Sequence, residues 1–498
     1  MGKPPLLNLG AWRQLDGSGG GNPLWLPAKH LVTHGVIVGM TGSGKTGLVT
    51  VLVEEAIGNG IPTLVIDVKG DLPNLLLAFS SFDSSHLEPW IETNAGPDDG
   101  PAESVVELAR KLADDRQQAF GHWSISEADL TRYCAKTDVR VLTPGVAAGE
   151  LLHVLSPLEQ RSAQWTTDPD SARQALSAAV SLVLRLLGRD PDPARSREHV
   201  LLSVLAERRL LAGQNAELGA LMQDVVEPPI AEIGALPIDS FLRKTDRKNL
   251  AAALNTLLAS PTFSSWRQGS AMNIGEWLTP KQGRTPAVIV SVAHLDDEER
   301  ALVLGVLLEE VLSWVRSLRG SSRLRALVVF DEVYGFLPPH PANPPTKRPL
   351  VSLMKQARAF GVGVVVATQN PMDLDYRALS NAGLWALGRL QTDADRERVI
   401  DGLNQSDRAN LSPTVLDRTL NSLAPRWFVV QNSHAPAGPL LVQPRQTLSF
   451  LRGPMTRGEI RAALEARKVV AKALETRVSS GADQLPAHEL LRKDSVPA

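Results

Sequence analysis

The sequence predicts an α/β fold: a mostly parallel sheet flanked by helices, interrupted by an all-α insertion subdomain. Three observations predict it. More than six short apolar runs alternate with helical patterns, which is how a parallel sheet reads when both its faces are covered. The first of these runs leads through a glycine-crowded loop directly into a helix. Between about 156 and 280 the alternation stops, and amphipathic helical stretches follow one another with little strand character.

The elements follow in order. Residues 1–30 are short apolar pieces around "DGSGGGNP", read as a plain loop because it lacks a Lys or Ser/Thr placed to grip phosphate. "VTHGVIVG" (32–39) reads as a buried strand and "KTGLVTVLVEEAIGNG" as a helix closed by glycines. "IPTLVID" (61–67) is a second buried strand, 104–135 is helical, and "VRVLTPG" (139–145) is a strand. After the helical middle, "TPAVIVSVAHL" (285–295) is a strand, followed by a long helix over 296–320 with Asp296 or Asp297 near its N-cap. Strands are expected at 324–332, 362–371 and 384–390, with a helix at 346–361 ending in Gly361. A charged helix follows 455, and then a loose tail. The division is 1–155 and 281–450 for two parts of one core, 156–280 for the helical insertion, and 451–498 for the C-terminal helix and tail.

Composition bounds the function. Lys and Arg total 52 against 54 Asp and Glu, a net charge of −2, so no global basic field exists and nucleic-acid contact must use a local patch. The single cysteine, Cys134, excludes a disulfide framework and a cysteine-rich zinc site. No apolar run approaches the roughly 20 residues that span a bilayer, and the N-terminus shows no signal-peptide core. The expectation is a soluble cytoplasmic protein without a membrane partner.

Gly39-Met40-Thr41-Gly42-Ser43-Gly44-Lys45-Thr46 fits G-x-x-x-x-G-K-[ST], the phosphate-binding P-loop. Main-chain amides must converge on phosphate there, which a Cβ would obstruct, and the following helix turns its positive end to the anion. Lys45 should reach the β- and γ-phosphates of ATP, and Thr46 should ligate Mg²⁺. "ALVVFDE" supplies the second acidic group: Asp331 for Mg²⁺ and Glu332 to polarise the attacking water. A Glu after the Asp marks additional-strand ATPases, and no N-K-x-D guanine-reading motif is present, so ATP is expected rather than GTP. Thr368, Gln369 and Asn370 end the next strand, where Gln369 can sense the γ-phosphate. "IDVKGDL" places Asp67, Lys69 and Asp71 at the same carboxyl edge, with Lys69 and Asp71 facing nucleotide or a neighbouring subunit.

In this order and rough spacing, "GVIVGMTGSGKT", "LVIDVKGDL", "VVFDEVYGFLP" and "ARAFGVGVVVATQNP" resemble the HerA/FtsK superfamily of DNA-pumping ATPases, most of all its bacterial HerA-like branch, over about 31–80 and 285–405. The resemblance implies a RecA-like core assembled as a homo-oligomeric ring, a hexamer, around double-stranded DNA. It implies ATP between subunits, a translocase or helicase activity, and a nuclease or other effector as partner; the alternatives are a non-translocating ATPase scaffold or regulatory subunit and, less favoured because no membrane helix is visible, a conjugation- or secretion-type pump. It also implies an arginine reaching the neighbour's γ-phosphate from beyond the sensor strand. Arg389 is the first candidate, Arg396 the second, and Arg398 and Arg358 are further ones. Basic loops should line the lumen: Lys347, Arg348, Lys355 and Arg358 in one cluster, Arg243, Lys244, Arg247 and Lys248 in another. Only some 35 residues precede the P-loop strand, too few for the N-terminal barrel by which HerA proteins dock a nuclease, so the helical middle is the expected substitute.

Overall fold

The apolar runs lie side by side in one thirteen-stranded sheet. The computed structural model describes residues 5–91, 104–372, 374–380, 382–390, 392–404, 413–435 and 438–480. In chain order the strands are β1 (Leu6–Arg13), β2 (Asn22–Pro27), β3 (Gly35–Val38), β4 (Thr63–Asp67), β5 (Thr137–Pro144), β6 (Glu150–His153) and β7 (Ser270–Ala271). They continue with β8 (Thr285–Ser291), β9 (Ala326–Asp331), β10 (Val362–Thr368), β11 (Leu384–Leu387), β12 (Phe428–Asn432) and β13 (Leu440–Pro444). Their spatial order is β2-β1-β13-β12-β11-β3-β10-β9-β4-β8-β5-β6-β7. From β11 to β7 every neighbour pairs parallel. From β11 out to β2 every pair is antiparallel.

The principal helices are α1 (Lys45–Gly58), α2 (Val105–His122), α3 (Glu127–Lys136), α4 (Pro169–Leu186), α5 (Arg197–Leu211), α6 (Leu218–Val226) and α7 (Lys244–Ala259). They continue with α8 (Asp297–Ser317), α9 (Lys347–Gln356), α10 (Asp393–Asn404), α11 (Pro413–Ser422) and α12 (Arg457–Ser480). Both sheet faces are covered, which explains the uninterrupted apolar runs. Leu64, Ile66, Val328 and Phe330 face one core with α4, α5 and α8, while Val65, Leu327 and Val329 face the other with α1 and α3. Asp296 is the N-cap of α8, closed by a reciprocal capping box with Glu299. Gly361, at φ 75°, ends the helical stretch before β10 as a left-handed cap.

Several expectations change. The strand expected at 32–39 is only Gly35–Val38, because Ala28–Thr33 forms a 3-10 helix. Residues 1–30 contribute a hairpin, β1 and β2, with "DGSGGGN" forming most of its turn. The helical middle is mostly α-helix as read, yet it returns a two-residue strand, Ser270–Ala271, to the sheet edge. Leu176, Leu202 and Leu221 also share one buried cluster with sheet residues. The tail beyond 480 lies outside the described residues. Among the described residues, no helix is long and apolar enough to cross a membrane.

The helix that starts at the P-loop is anchored at its far end by a buried ion network. Glu54 accepts from Arg445 Nη1 at 2.9 Å and from the amides of Leu448 and Ser449 at 2.9 and 2.8 Å. Glu55 accepts from Arg445 Nη2 at 2.9 Å and from the Asn8 amide at 2.8 Å. The pair Glu54–Arg445 is almost wholly shielded from water, so removing one partner strands the rest. Glu54→Ala is expected to destabilise the fold by about 3–5 kcal/mol, the range for breaking a buried pair. A thermal melt within a degree of wild type would show that the network carries no such weight.

Candidate nucleotide site

Parallel registry builds the site. Thr368 lies opposite Val38, Ala367 opposite Asp331, Asp331 opposite Asp67, and Asp67 opposite Ser291. The carboxyl ends of β3, β10, β9, β4 and β8 therefore finish in one layer, the edge where open α/β sheets bind ligands. β10 stands between the P-loop strand β3 and the Asp-Glu strand β9, as the additional-strand reading requires.

Gly39 follows β3, and α1 begins at Lys45. Gly44 caps that helix at φ 91° and Gly42 sits at φ 78°, both in the region that favours glycine. A Cβ on Gly39 would fall 2.5 Å from Ser43 Oγ, and one on Gly44 3.0 Å from the Cα of Arg426. The loop is held from outside by backbone: Met40 N donates to the Arg389 carbonyl at 3.0 Å, and Arg426 N donates to the Ser43 carbonyl at 2.9 Å. Thr41 Oγ1 donates to Gln369 Oε1 at 2.9 Å, which ties the loop to the expected sensor.

Lys45 is buried and pairs with Glu332 Oε2 at 2.9 Å, with Asp331 Oδ1 at 3.6 Å. Lys69 Nζ sits 2.8 Å from the same Glu332 oxygen. Glu332 Oε1 accepts from the Gln369 amide at 3.1 Å, with Thr368 Oγ1 at 3.3 Å. Glu332 adopts φ 62°, an uncommon backbone setting for a non-glycine residue. Burial works to raise its pKa, but Lys45, Lys69 and the Gln369 amide together hold the carboxyl below its ordinary value. Asp331 goes the other way: burial raises it and Glu332 adds repulsion, against the pull of Lys45. Asp67, fully buried, is pushed up to about 7 by burial, with Asp331 adding to the rise and the Ser291 hydroxyl opposing it. Burial likewise raises Asp71, against Lys69 and Lys45.

These residues fit a magnesium nucleotide on one observation: Asp331 Oδ1 and Ser43 Oγ are buried and have no hydrogen-bond partner among the described residues. Mg²⁺ usually takes one or two protein oxygens beside phosphate and water. Thr46, half-buried on the first turn of α1, and Asp331 are the oxygens available.

The arginine candidates separate sharply. Arg389 is exposed two residues past β11, with no ion-pair partner among the described residues, beside the P-loop its carbonyl holds. Arg396 is buried between Asp393 and Asp417, so it clamps α10 to α11 instead of projecting outward. Arg398 lies half-buried on the same helix. Arg358 is exposed just before β10 begins, at the opposite edge of the sheet from the P-loop. In the basic clusters, Arg348 and Lys355 are exposed on α9, whereas Lys347 turns back to the Ala342 carbonyl and Asp375. Pro345 packs against α8 near Gly305, so part of the proline-rich segment lies down on the fold instead of protruding. Arg243, exposed, pairs with Asp246 and the buried Arg247 with Asp239, which leaves Lys244 and Lys248 as the exposed cations of that cluster with no ion pair among the described residues. Sequence reading missed Arg426 against the P-loop and the Ser291–Asp67 contact, since both depend on pairings made only in the fold.

The family described as "Helicase HerA, central domain" matches residues 18–144. No curated protein matches the chain. Among solved structures, VirB4 of Thermoanaerobacter pseudethanolicus aligns over 89% of this chain and 97% of its own, at 14% identity and TM-score 0.50. The plasmid coupling protein TrwB with an ATP analogue aligns over 92% of each chain at 14% identity and TM-score 0.45. The genome packaging NTPase B204 from Sulfolobus turreted icosahedral virus 2 aligns over 38% of this chain and 78% of its own, at 13% identity and TM-score 0.23. Two of the four motifs, "GVIVGMTGSGKT" and "LVIDVKGDL", lie inside that family match, so the resemblance to the HerA family is borne out over residues 18–144, about a quarter of the chain.

Proposed function

We propose that this protein is an ATP-hydrolysing motor that assembles as a ring, a hexamer, and translocates double-stranded DNA in concert with a nuclease or other effector. One observation carries the ATPase reading: Lys45, Asp331, Glu332 and Gln369 meet at one sheet edge beside a glycine-shaped helix start. In that arrangement the P-loop amides and Lys45 hold the β- and γ-phosphates, and Thr46 and Asp331 hold Mg²⁺. The bound ion supplies charge neutralisation for the phosphate oxygens. Glu332 orients the attacking water and takes its proton, and Gln369, bonded to Thr41 of the loop, reports the γ-phosphate to the sensor strand. Arg389 reaches the neighbouring subunit's nucleotide. Exposed Arg348 and Lys355 contact DNA phosphates, with slight sequence preference because such contacts do not read bases. The helices of 156–280 form the insertion subdomain that docks the effector.

Lys45→Ala should weaken nucleotide binding at least about tenfold, measured by titration with a fluorescent ATP analogue. Glu332→Gln should keep binding but lose about 10²–10³ in turnover, the scale of a general base; retained steady-state phosphate release would remove Glu332 from that role. EDTA should abolish hydrolysis in the wild type. Arg389→Ala is expected to act in trans, so mixing it with Lys45→Ala subunits should restore sites in the proportion that a shared interface dictates. Strictly additive activities on mixing would rule Arg389 out. Duplex DNA should stimulate hydrolysis, and the motor should displace streptavidin from DNA ends; indifference to DNA in both assays would assign a non-translocating ATPase scaffold instead.

A further inference from the structure

A carboxylate offers about four lone-pair positions on its two oxygens. On Glu332 each oxygen already faces two donors. Oε2 faces the ammonium groups of Lys45 at 2.9 Å and Lys69 at 2.8 Å. Oε1 faces the Gln369 amide at 3.1 Å and the Thr368 hydroxyl at 3.3 Å, the latter shared with the Asn370 carbonyl. So surrounded, the carboxylate has both positions on Oε2 filled and, on Oε1, only the one for which the Asn370 carbonyl competes. The four contacts are not equivalent. Those on Oε1 come from the adjoining strand end and are fixed by the sheet. Lys45 has a second destination, because its place on α1 at the glycine loop serves phosphate. Lys69 has neither constraint. It is the exposed residue of an otherwise buried turn after β4, its side chain 37% exposed, and Glu332 is its only ion-pair partner among the described residues.

We infer that Lys69 is a positioning residue that masks Glu332: with Lys45 it fills Oε2 between turnovers, and after Lys45 leaves it still holds that oxygen and slows its turn toward water. The inference rests on the ATPase reading above. When phosphate draws Lys45 away, Lys69 becomes the one cation left on Oε2 and sets whether that oxygen can turn to water. The exposed, flexible lysine thus acts as the brake, and the buried one senses occupancy. Lys69 lies outside the P-loop and the Asp-Glu strand, so its removal separates the brake from phosphate binding.

The test is single-turnover ATP hydrolysis by the full chain, with nucleotide affinity measured in parallel. The proteins are wild type, Lys69→Met, Lys69→Arg, Glu332→Gln and the double variant Lys69→Met/Glu332→Gln. Lys69→Met should raise the single-turnover rate about fivefold or more, with nucleotide affinity changed by less than about twofold, a rate-against-binding split that general loosening of the site would not produce. Lys69→Arg, which returns a cation to the position, should reverse most of the gain. The double variant should turn over no faster than Glu332→Gln, since the brake acts only through that carboxylate. An unchanged or slower rate in Lys69→Met overturns the inference and makes Lys69 a phosphate or subunit contact. Equal hydrolysis by wild type and Glu332→Gln would instead overturn the underlying assignment of the base, and with it the mask.

Discussion

The buried pair Lys45–Glu332 is the contact on which the rest of the site depends. Neither residue can be left alone in the interior, because an unpaired buried charge costs several kcal/mol. The pair exists only because β3 and β9 end at the same height, with β10 between them. A shift of one residue in either parallel ladder would turn Asp331 to the other face and move the carboxylate away from the helix start. The sheet's continuous apolar core fixes that register: Val328 and Phe330 have a different set of neighbours from Leu327 and Val329, so a slip would exchange the two cores. Hydrophobic packing at the centre of the molecule thus sets a polar distance at its edge.

The same logic divides the P-loop helix into a fixed end and a responsive end. At the C-terminal end of α1, Glu54 and Glu55 are locked by Arg445 and by three main-chain amides. At the N-terminal end, the loop is tied through single hydrogen bonds to the Arg389 carbonyl, the Arg426 amide and the Gln369 side chain. A helix anchored so heavily at one end passes little motion along its length. The loop's contacts lead from there to two strand ends, β10 through Gln369 and β11 through the Arg389 carbonyl.

The central sheet was legible because parallel strands buried on both faces leave apolar runs that no other element leaves at that length. The P-loop, Asp331 and Glu332 were legible for the same reason, each being fastened to the end of such a run. The two edges were not. On the antiparallel edge, Leu6–Arg13 and Asn22–Pro27 are broken by glycine and proline; on the parallel edge, Glu150–His153 and Ser270–Ala271 are too brief to show a period. The arginines mark another boundary. In sequence Arg389 and Arg396 differ little, and what separates them is Asp417, which the fold brings from 21 residues away to bury Arg396. Asp393, three residues before Arg396 on the same helix, was the one local sign that this arginine was already spoken for. The left-handed backbone of Glu332 and the reach of Lys69 to it left no trace in the sequence at all.

The charge balance at the edge explains why so polar a cluster is tolerated in a buried place. Asp67, Asp71, Asp331 and Glu332 bring four carboxyls, and Lys45 and Lys69 bring two ammoniums. Both lysines serve Glu332 first, and it is the carboxyl held below its ordinary value. The shortfall falls on the others: burial raises Asp67, Asp71 and Asp331, and mutual repulsion adds to each rise on Asp67 and Asp331. Carboxyls in that state gain most from an arriving divalent cation, because it replaces the missing positive charge where water cannot. In the ATPase proposed above, Asp331 would offer such a cation a buried oxygen, and a phosphate would compete with Glu332 for Lys45.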